Sequence, residues 1–469
     1  MENGSERRPK VGLLGLTLEL YEEMAPDLRP GREEWVRESV LPALRPVADV
    51  RFPGAAFRRA DVERTVRRFE ADGVDALLVM LLTYAPSQAA LPALKRTNLP
   101  IAVWNTQELR GVGRDFTGDA MVANHGVHGT QDLCNVLLRA GVDFEYFTSH
   151  LGDEAPLEPL SDFFAAASAV GSLRTARVGV LGYPFPGMGD FAVDTTHLAA
   201  TLGCEWTALT VAEYVQRAES QPAEKVEALV ADYRAAYRVD PGLSPSALAA
   251  AARAELAVRR MVADHSLDAM TYQFLAFGRD ERTPTVPFVA ASRLMAEGVG
   301  FGGEGDLIAA AGTTLLHRLR PPASFTEMFT VDYAGKAVLL SHMGEANVAM
   351  ARGDRPVRLA ERRPIAETRE AQLVLTTVFE PGPATLCALT LGPESRWRIV
   401  ASAGRVLDFG PVDDLVVPHA KWQPDGGVRE FLTAYARAGG PHHCAICFGD
   451  ARARLRAAAG LLDADYREV

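Results

Sequence analysis

Four side chains in the last third of the chain have the chemistry to hold a metal ion, each in its own local frame. Glu304 lies in GVGFGGEGD, Glu327 in SFTEMFTVDY, His342 in LLSHMGE and His443 in AGGPHHCAI. Two carboxylates and two imidazoles make a mixed oxygen and nitrogen donor set. Such a set suits Mn²⁺, Mg²⁺ or Co²⁺ better than a structural zinc. If the four converge, the chain is a metal-dependent enzyme whose carboxylates are also available for proton transfer.

Taken singly, each motif has a plainer reading. Residues 298–303 match G-x-G-x-x-G, but a dinucleotide fingerprint needs a strand before the glycine turn, and VAASRLMAEG reads as a helix. The glycines then serve to turn the backbone tightly and set Glu304 at a loop–helix junction, where an acidic residue also stabilises a helix N-terminus. Glu327 and His342 are each compatible with a surface or capping role. The string His442-His443-Cys444-x-x-Cys447 admits a zinc or redox reading, although a zinc knuckle wants a second close ligand pair that the sequence lacks. In the first third, His125 and His128 occupy a glycine-flanked stretch, NHGVHGT, before a predicted helix over 130–140. They could bond a polar ligand or be incidental to the helix start.

The elements that must position these groups follow from composition and pattern. A chain of 469 residues, 48% hydrophobic and 23% charged, implies two or three globular domains. Its net charge of −11 argues against a general nucleic-acid binder and against attachment to an anionic membrane. No stretch approaches the roughly 20 apolar residues of a membrane helix. The N-terminal MENGSERRPK has no apolar signal region, and the five scattered cysteines form no disulfide framework, so the cytoplasm is expected.

Apolar runs at 11–16, 76–82 and 101–104 alternate with helical patterns, which predicts a parallel sheet covered on both faces. A second unit of the same kind starts near Arg177, with a strand at 178–181, helices over 223–237 and 246–262, a strand near 267–272 and a helix over 305–319. Beyond Pro321 and Pro322 the segments 336–340, 373–379, 385–391 and 397–400 are β-rich and lack long helices between them. That texture predicts an antiparallel, barrel-like domain. The fold class is therefore α/β in three domains: two parallel-sheet domains over 1–174 and 175–320, and a β-rich C-terminal domain over 321–469.

In this order the motifs resemble the L-arabinose/L-fucose isomerase family, its L-arabinose isomerase branch most closely. LLVMLLTYAPSQ and VWNTQE look like substrate-side strands of the first domain. NHGVHGTQD is similar to the family's Asn-Gln-x-x-His-Gly-Gly loop, and RLMAEGVGFGGEGD to its central glutamate motif. SFTEMFTVDY, LLSHMGE and AGGPHHCAI look like the other three ligand motifs. The resemblance implies a homo-oligomer, hexamer or tetramer, with active sites at subunit interfaces. It implies that Glu304, Glu327, His342 and His443 bind a divalent metal, typically Mn²⁺, with Mg²⁺ or Co²⁺ as alternatives and no nucleotide. In the doublet the second histidine matches the ligand, not His442. His128 would reach the sugar in the site of a neighbouring subunit.

The implied reaction moves a proton between C1 and C2 of an open-chain aldose through an enediol, with Glu304 and Glu327 as interchangeable acid and base. The substrate shell departs from the arabinose-isomerase pattern. Thr17, Leu18 and Glu19 stand where the family has a Gln before Leu-Tyr, His125 replaces a Gln, Tyr84 replaces a pocket Phe, and Phe274 is followed by Leu275 instead of Glu. L-Arabinose is thus the first candidate sugar, with L-fucose and D-galactose beside it. A catalytically divergent sugar-binding or sensor protein, and a nicotinamide-dependent oxidoreductase built on 298–303, are the competing readings.

Overall fold

The computed structural model describes residues 7–278 and 280–469, and the signal-region expectation for residues 1–6 lies outside them. Two compact units emerge, Arg7–Gly171 and Ser172–Val469.

In the first unit five parallel strands run in the order Asp49–Arg51, Lys10–Leu16, Ala76–Leu81, Ile101–Asn105, Glu145–Thr148. Ala76–Leu81 is buried along its whole length, as its unbroken apolar run requires of a strand covered on both faces. Leu77, Val79 and Val103 meet Phe69, Leu133 and Leu137 of flanking helices in one core. The helix expected over 130–140 instead begins earlier and spans Gly126–Arg139. A Cβ on Gly126 would lie 2.3 Å from the Leu81 carbonyl oxygen, and one on Gly129 3.0 Å from the Ala85 nitrogen. The bare glycines let the helix start press against the strand end, so His125 stands at the N-cap position, making no side-chain capping bond, and His128 sits in the first turn.

In the second unit a parallel sheet runs Gly300–Gly302, Ala269–Tyr272, Arg177–Leu181, Glu205–Leu209. Six antiparallel strands then close into a barrel: Gly382–Leu391, His443–Phe448, Ala323–Asp332, Ala337–Ser341, His419–Pro424 and Trp397–Val406, whose last member pairs back onto the first. Asp465–Glu468 adds to Trp397–Val406 in parallel. Two parallel α/β sheets followed by an antiparallel barrel is the architecture the sequence texture anticipates. Not every β-rich segment joins the barrel. Leu373–Thr376 pairs with Arg358–Glu361, which pairs with Arg238–Val239, in a separate small sheet. Strand propensity shows that a segment is extended but not which edge it will meet.

The helix Leu307–Leu319 links the two parts of this unit. It is apolar nearly all round, buried along most of its length, and packs on strands of both the parallel sheet and the barrel. The glycine string before it ends one helix (Phe288–Ala296), forms the edge strand Gly300–Gly302 and turns into the next helix. Gly298 takes the left-handed conformation of a helix terminator, which differs from a strand-to-helix phosphate turn. Gly300 and Gly302 admit the helix backbone so closely that a Cβ on either would strike Thr314 or Asp306. No helix among the described residues is long and apolar enough to cross a membrane.

Candidate metal centre

Glu304 lies in the loop that leaves the carboxyl end of Gly300–Gly302, where binding groups collect in open parallel sheets. Its φ is +59°, a conformation that costs a residue with a Cβ about 1–3 kcal/mol and persists where neighbours enforce it. Those neighbours are the Phe185 N–H, which donates to the Glu304 carbonyl at 2.9 Å, and the Tyr272 carbonyl, which accepts from the Gly305 N–H at 3.1 Å.

The barrel supplies the other groups through strand register. Glu327 sits within Ala323–Asp332, opposite Ser341 on one side and His443 on the other. His342 follows Ser341 directly, and His443 opens its own strand. Adjacent antiparallel strands therefore gather three groups far apart in sequence. One donor atom from each of Glu327, His342 and His443 lies within 4.8 Å of the others. Glu304 belongs to a second group, with His442 and His443, and its Oε2 lies 3.7 Å from His443 Nε2, so His443 is common to both groups.

Both imidazoles are buried and held from behind. His342 Nδ1 bonds Glu345 Oε2 at 2.7 Å, and His443 Nδ1 bonds Asp306 Oδ2 at 2.8 Å. With Nδ1 donating to a carboxylate, the neutral form of each imidazole presents its lone pair on Nε2. Neither Nε2 has a hydrogen-bond partner among the described residues, although both are shut off from solvent. A buried polar atom left unpaired costs about 1–3 kcal/mol. Two such nitrogens beside two carboxylates fit a divalent cation, and carboxylate–histidine pairs are the usual outer support of such a centre.

Packing leaves the rings little freedom. Phe325 meets His342 and His443 edge-on at 4.7 and 5.0 Å between centroids, and Phe191 stacks on His443 at 5.5 Å. Burial, the largest influence, raises the Glu304 carboxyl above its ordinary range; His342 and His443 oppose this and the nearby Glu327 charge adds to it. For His342, burial acts to lower the value, but Glu345, Glu327 and Glu304 together outweigh it and the imidazole is raised.

His442 also lies close, its donor atom within 4.8 Å of those of Glu304 and His443. Its Nδ1 bonds Asp190 at 2.5 Å, and its Nε2 is without a partner among the described residues. Phe274 follows the strand Ala269–Tyr272, and its ring lies 6.1 Å from that of Phe185, whose N–H holds Glu304. The remaining sugar-side candidates belong to the first unit. There His128 Nδ1 and His125 Nε2 are 3.0 Å apart, and the Tyr84 ring is 4.7 Å from His128 and 6.0 Å from His125.

Sequence reasoning passed over Asp306, Glu345, Tyr272 and Asp190. Asp306 had a local signal, since an Asp before an apolar helical run is a natural cap, and it accepts from the Ala309 N–H at 2.8 Å. Glu345 stands three residues after His342, a spacing visible in the sequence but without meaning until the loop folds.

Comparison with known proteins bears on what this centre is. Residues 188–320 match the family model for the L-arabinose isomerase central domain, and residues 322–465 that for the L-arabinose isomerase C-terminal domain. An L-arabinose isomerase of Acidothermus cellulolyticus is 29% identical over 395 residues, covering 80% of this chain and 77% of that one. Those of Nocardioides sp. and Aeromonas hydrophila are 28% and 25% identical, covering 83% of this chain and 78% and 80% of theirs. The chain belongs to the L-arabinose isomerase family. It is accordingly an aldose–ketose isomerase by class. Within this family member, the central-domain match contains Asp190, Glu304 and Asp306, and the C-terminal match contains Glu327, His342, Glu345, His442 and His443. A D-allose-bound periplasmic receptor from Actinobacillus succinogenes aligns with 58% of the chain at a TM-score of 0.15, too slight a likeness to argue from.

Proposed function

We propose that the protein interconverts L-arabinose and L-ribulose, using a divalent metal held by Glu304, Glu327, His342 and His443. One observation carries the reading: two buried imidazoles, each anchored through Nδ1 by a carboxylate, leave Nε2 unpaired, both gathered with Glu327 and one of them, His443, also beside Glu304. The names of the relatives supply the sugar. The departures at Tyr84, His125 and Leu275 make L-fucose and D-galactose the alternatives to test.

When bound, the metal polarises the sugar oxygens at C1 and C2 and stabilises the negative charge that grows on them. The chain's own groups handle the proton. One of Glu304 and Glu327 removes the C2 proton as the other gives one to O1, forming the enediol. The second then takes the O2 proton as the first returns its proton to C1, so both carboxyls end as they began, and the roles exchange with the direction of reaction. His342 and His443 keep their protons on Nδ1, toward Glu345 and Asp306, and so act as neutral ligands. Phe325 and Phe191, packed on the imidazoles, exclude water from one side of the centre. On this reading His128, with His125 and Tyr84 beside it, contacts the sugar in the site of a neighbouring subunit of a cytoplasmic hexamer or tetramer.

The test is ketose formation by metal-stripped protein against a panel of pentoses and deoxyhexoses plus D-galactose, with and without Mn²⁺. Mn²⁺-dependent conversion of L-arabinose above the other sugars is expected. Stoichiometric Mn²⁺ binding with no turnover of any sugar would point to a divergent sensor instead.

A further inference from the structure

His443 and His342 are supported in different ways. Asp306, behind His443, is fixed by the start of its helix through the Ala309 N–H. Glu345, behind His342, lies in an irregular segment after the strand Ala337–Ser341, and its Oε2 is committed to His342. The other oxygen, Oε1, accepts from the Tyr272 hydroxyl at 2.5 Å. Tyr272 ends the strand Ala269–Tyr272 of the parallel sheet and is 1% exposed, while Glu345 is 2% exposed. A buried carboxylate thus receives one side-chain donor on each oxygen, from a sheet on one side and from a candidate ligand on the other.

We propose that Tyr272 is a positioning residue for the metal centre: its hydroxyl locks the Glu345 carboxylate, and through it holds the His342 imidazole with Nε2 turned inward. The proposal rests on the metal reading above. A chain of ring contacts runs beside the hydrogen bonds. Tyr272 packs on Phe301 at 5.3 Å, Phe301 on Phe325 at 5.6 Å, and Phe325 on His342 at 4.7 Å. The phenol and the imidazole are therefore joined by a polar route and by an aromatic one, and only the first depends on the hydroxyl. Burial pushes the Tyr272 phenol well above its ordinary range and the Glu345 charge adds to that, so the hydroxyl keeps its proton and donates. Removing the hydroxyl would leave Glu345 Oε1 without that donor in a buried place, free to turn toward other partners and to release His342 Nδ1.

Tyr272→Phe removes one oxygen and keeps the ring packing. A matched control lies in the same core: Tyr214 also meets Phe277 edge-on, at 5.1 Å against 5.7 Å for Tyr272, but its hydroxyl is buried with no partner among the described residues. The measurement is Mn²⁺ affinity of the metal-stripped full chain by calorimetry, alongside its melting temperature. Tyr214→Phe should bind Mn²⁺ as the unaltered protein does, whereas Tyr272→Phe should bind it about 10-fold or more weakly. A Tyr272→Phe affinity within twofold of the unaltered protein would overturn the proposal. Should Tyr272→Phe prove unstable, Glu345→Gln, which keeps Tyr272, decides: it removes the carboxylate that the hydroxyl holds, so Mn²⁺ affinity should fall about 10-fold or more, and an unchanged affinity refutes the route. Where Tyr272→Phe folds, a shared route also predicts that the double variant loses no more affinity than Glu345→Gln alone, and full additivity refutes it. Failure of the unaltered protein to bind Mn²⁺ would remove the metal reading itself, and this inference with it.

Discussion

Gly303→Ala is the smallest change that tests the packing of the metal centre. A Cβ at Gly303 would stand 2.7 Å from His342 Cε1, 2.8 Å from His342 Nε2 and 3.0 Å from Phe325 Cζ. None of these atoms is the free end of a flexible chain. His342 is tied to Glu345 at 2.7 Å, and Phe325 is wholly buried against His443 and Phe301. The added methyl must therefore displace the imidazole, the phenyl ring or the Glu304 loop. Overpacking of this kind costs about 1–3 kcal/mol, which lowers the melting temperature of a domain this large by roughly 2–5 °C. Because the methyl sits against the nitrogen proposed to bind metal, Mn²⁺ affinity should fall by about 10-fold or more. The control is Gly460→Ala, in the helix Arg452–Leu461, where a Cβ meets nothing within 4 Å. That substitution should be neutral or stabilise by up to about 1 kcal/mol. Calorimetric Mn²⁺ titration and thermal melts of both variants suffice. If Gly303→Ala melts and binds Mn²⁺ like the unaltered protein, His342 is not where this account puts it.

Three further outcomes are expected. Glu304→Gln and Glu327→Gln should each lower ketose formation by about 10²-fold or more while leaving the melting temperature of the stripped protein within a few degrees; near-normal turnover in either would end its proton-transfer role. His443→Ala should weaken Mn²⁺ binding, with activity partly restored by excess Mn²⁺, whereas His442→Ala should retain stoichiometric binding; the reverse pattern in a titration would exchange the two residues. Burial, with a smaller contribution from the Arg318 charge, lowers His317 from 6.5 to about 4, so the unfolded chain takes up its proton more readily than the folded one. Its contribution, about 3 kcal/mol, is complete above pH 6.5 and is lost as the pH falls toward 4. His317→Gln should flatten the dependence of melting temperature on pH across that window, and an unchanged slope would show that other groups set it.

Much of the architecture was legible because local pattern and burial coincide. The unbroken apolar run at Ala76–Leu81 can only be a strand covered on both faces, and the β-rich texture past Pro322 announces a different kind of domain. The four metal-friendly residues stood out by chemical type and by the order of their motifs. What no local pattern contains is register. Glu327 faces His443 because Ala323–Asp332 pairs with His443–Phe448, residues more than a hundred positions apart, and a slip of one residue would turn every side chain to the opposite face. The same limit hid Tyr272, Glu345 and Asp190. Each is an ordinary strand or loop residue until folding carries Glu345 and Asp190 to histidines and Tyr272 to Glu345. Residue type and spacing determined what chemistry the chain can attempt. Only the closing of the barrel against the parallel sheet decided which nitrogens lose their solvent beside carboxylates, because desolvation depends on everything packed around a group and not on its neighbours in sequence.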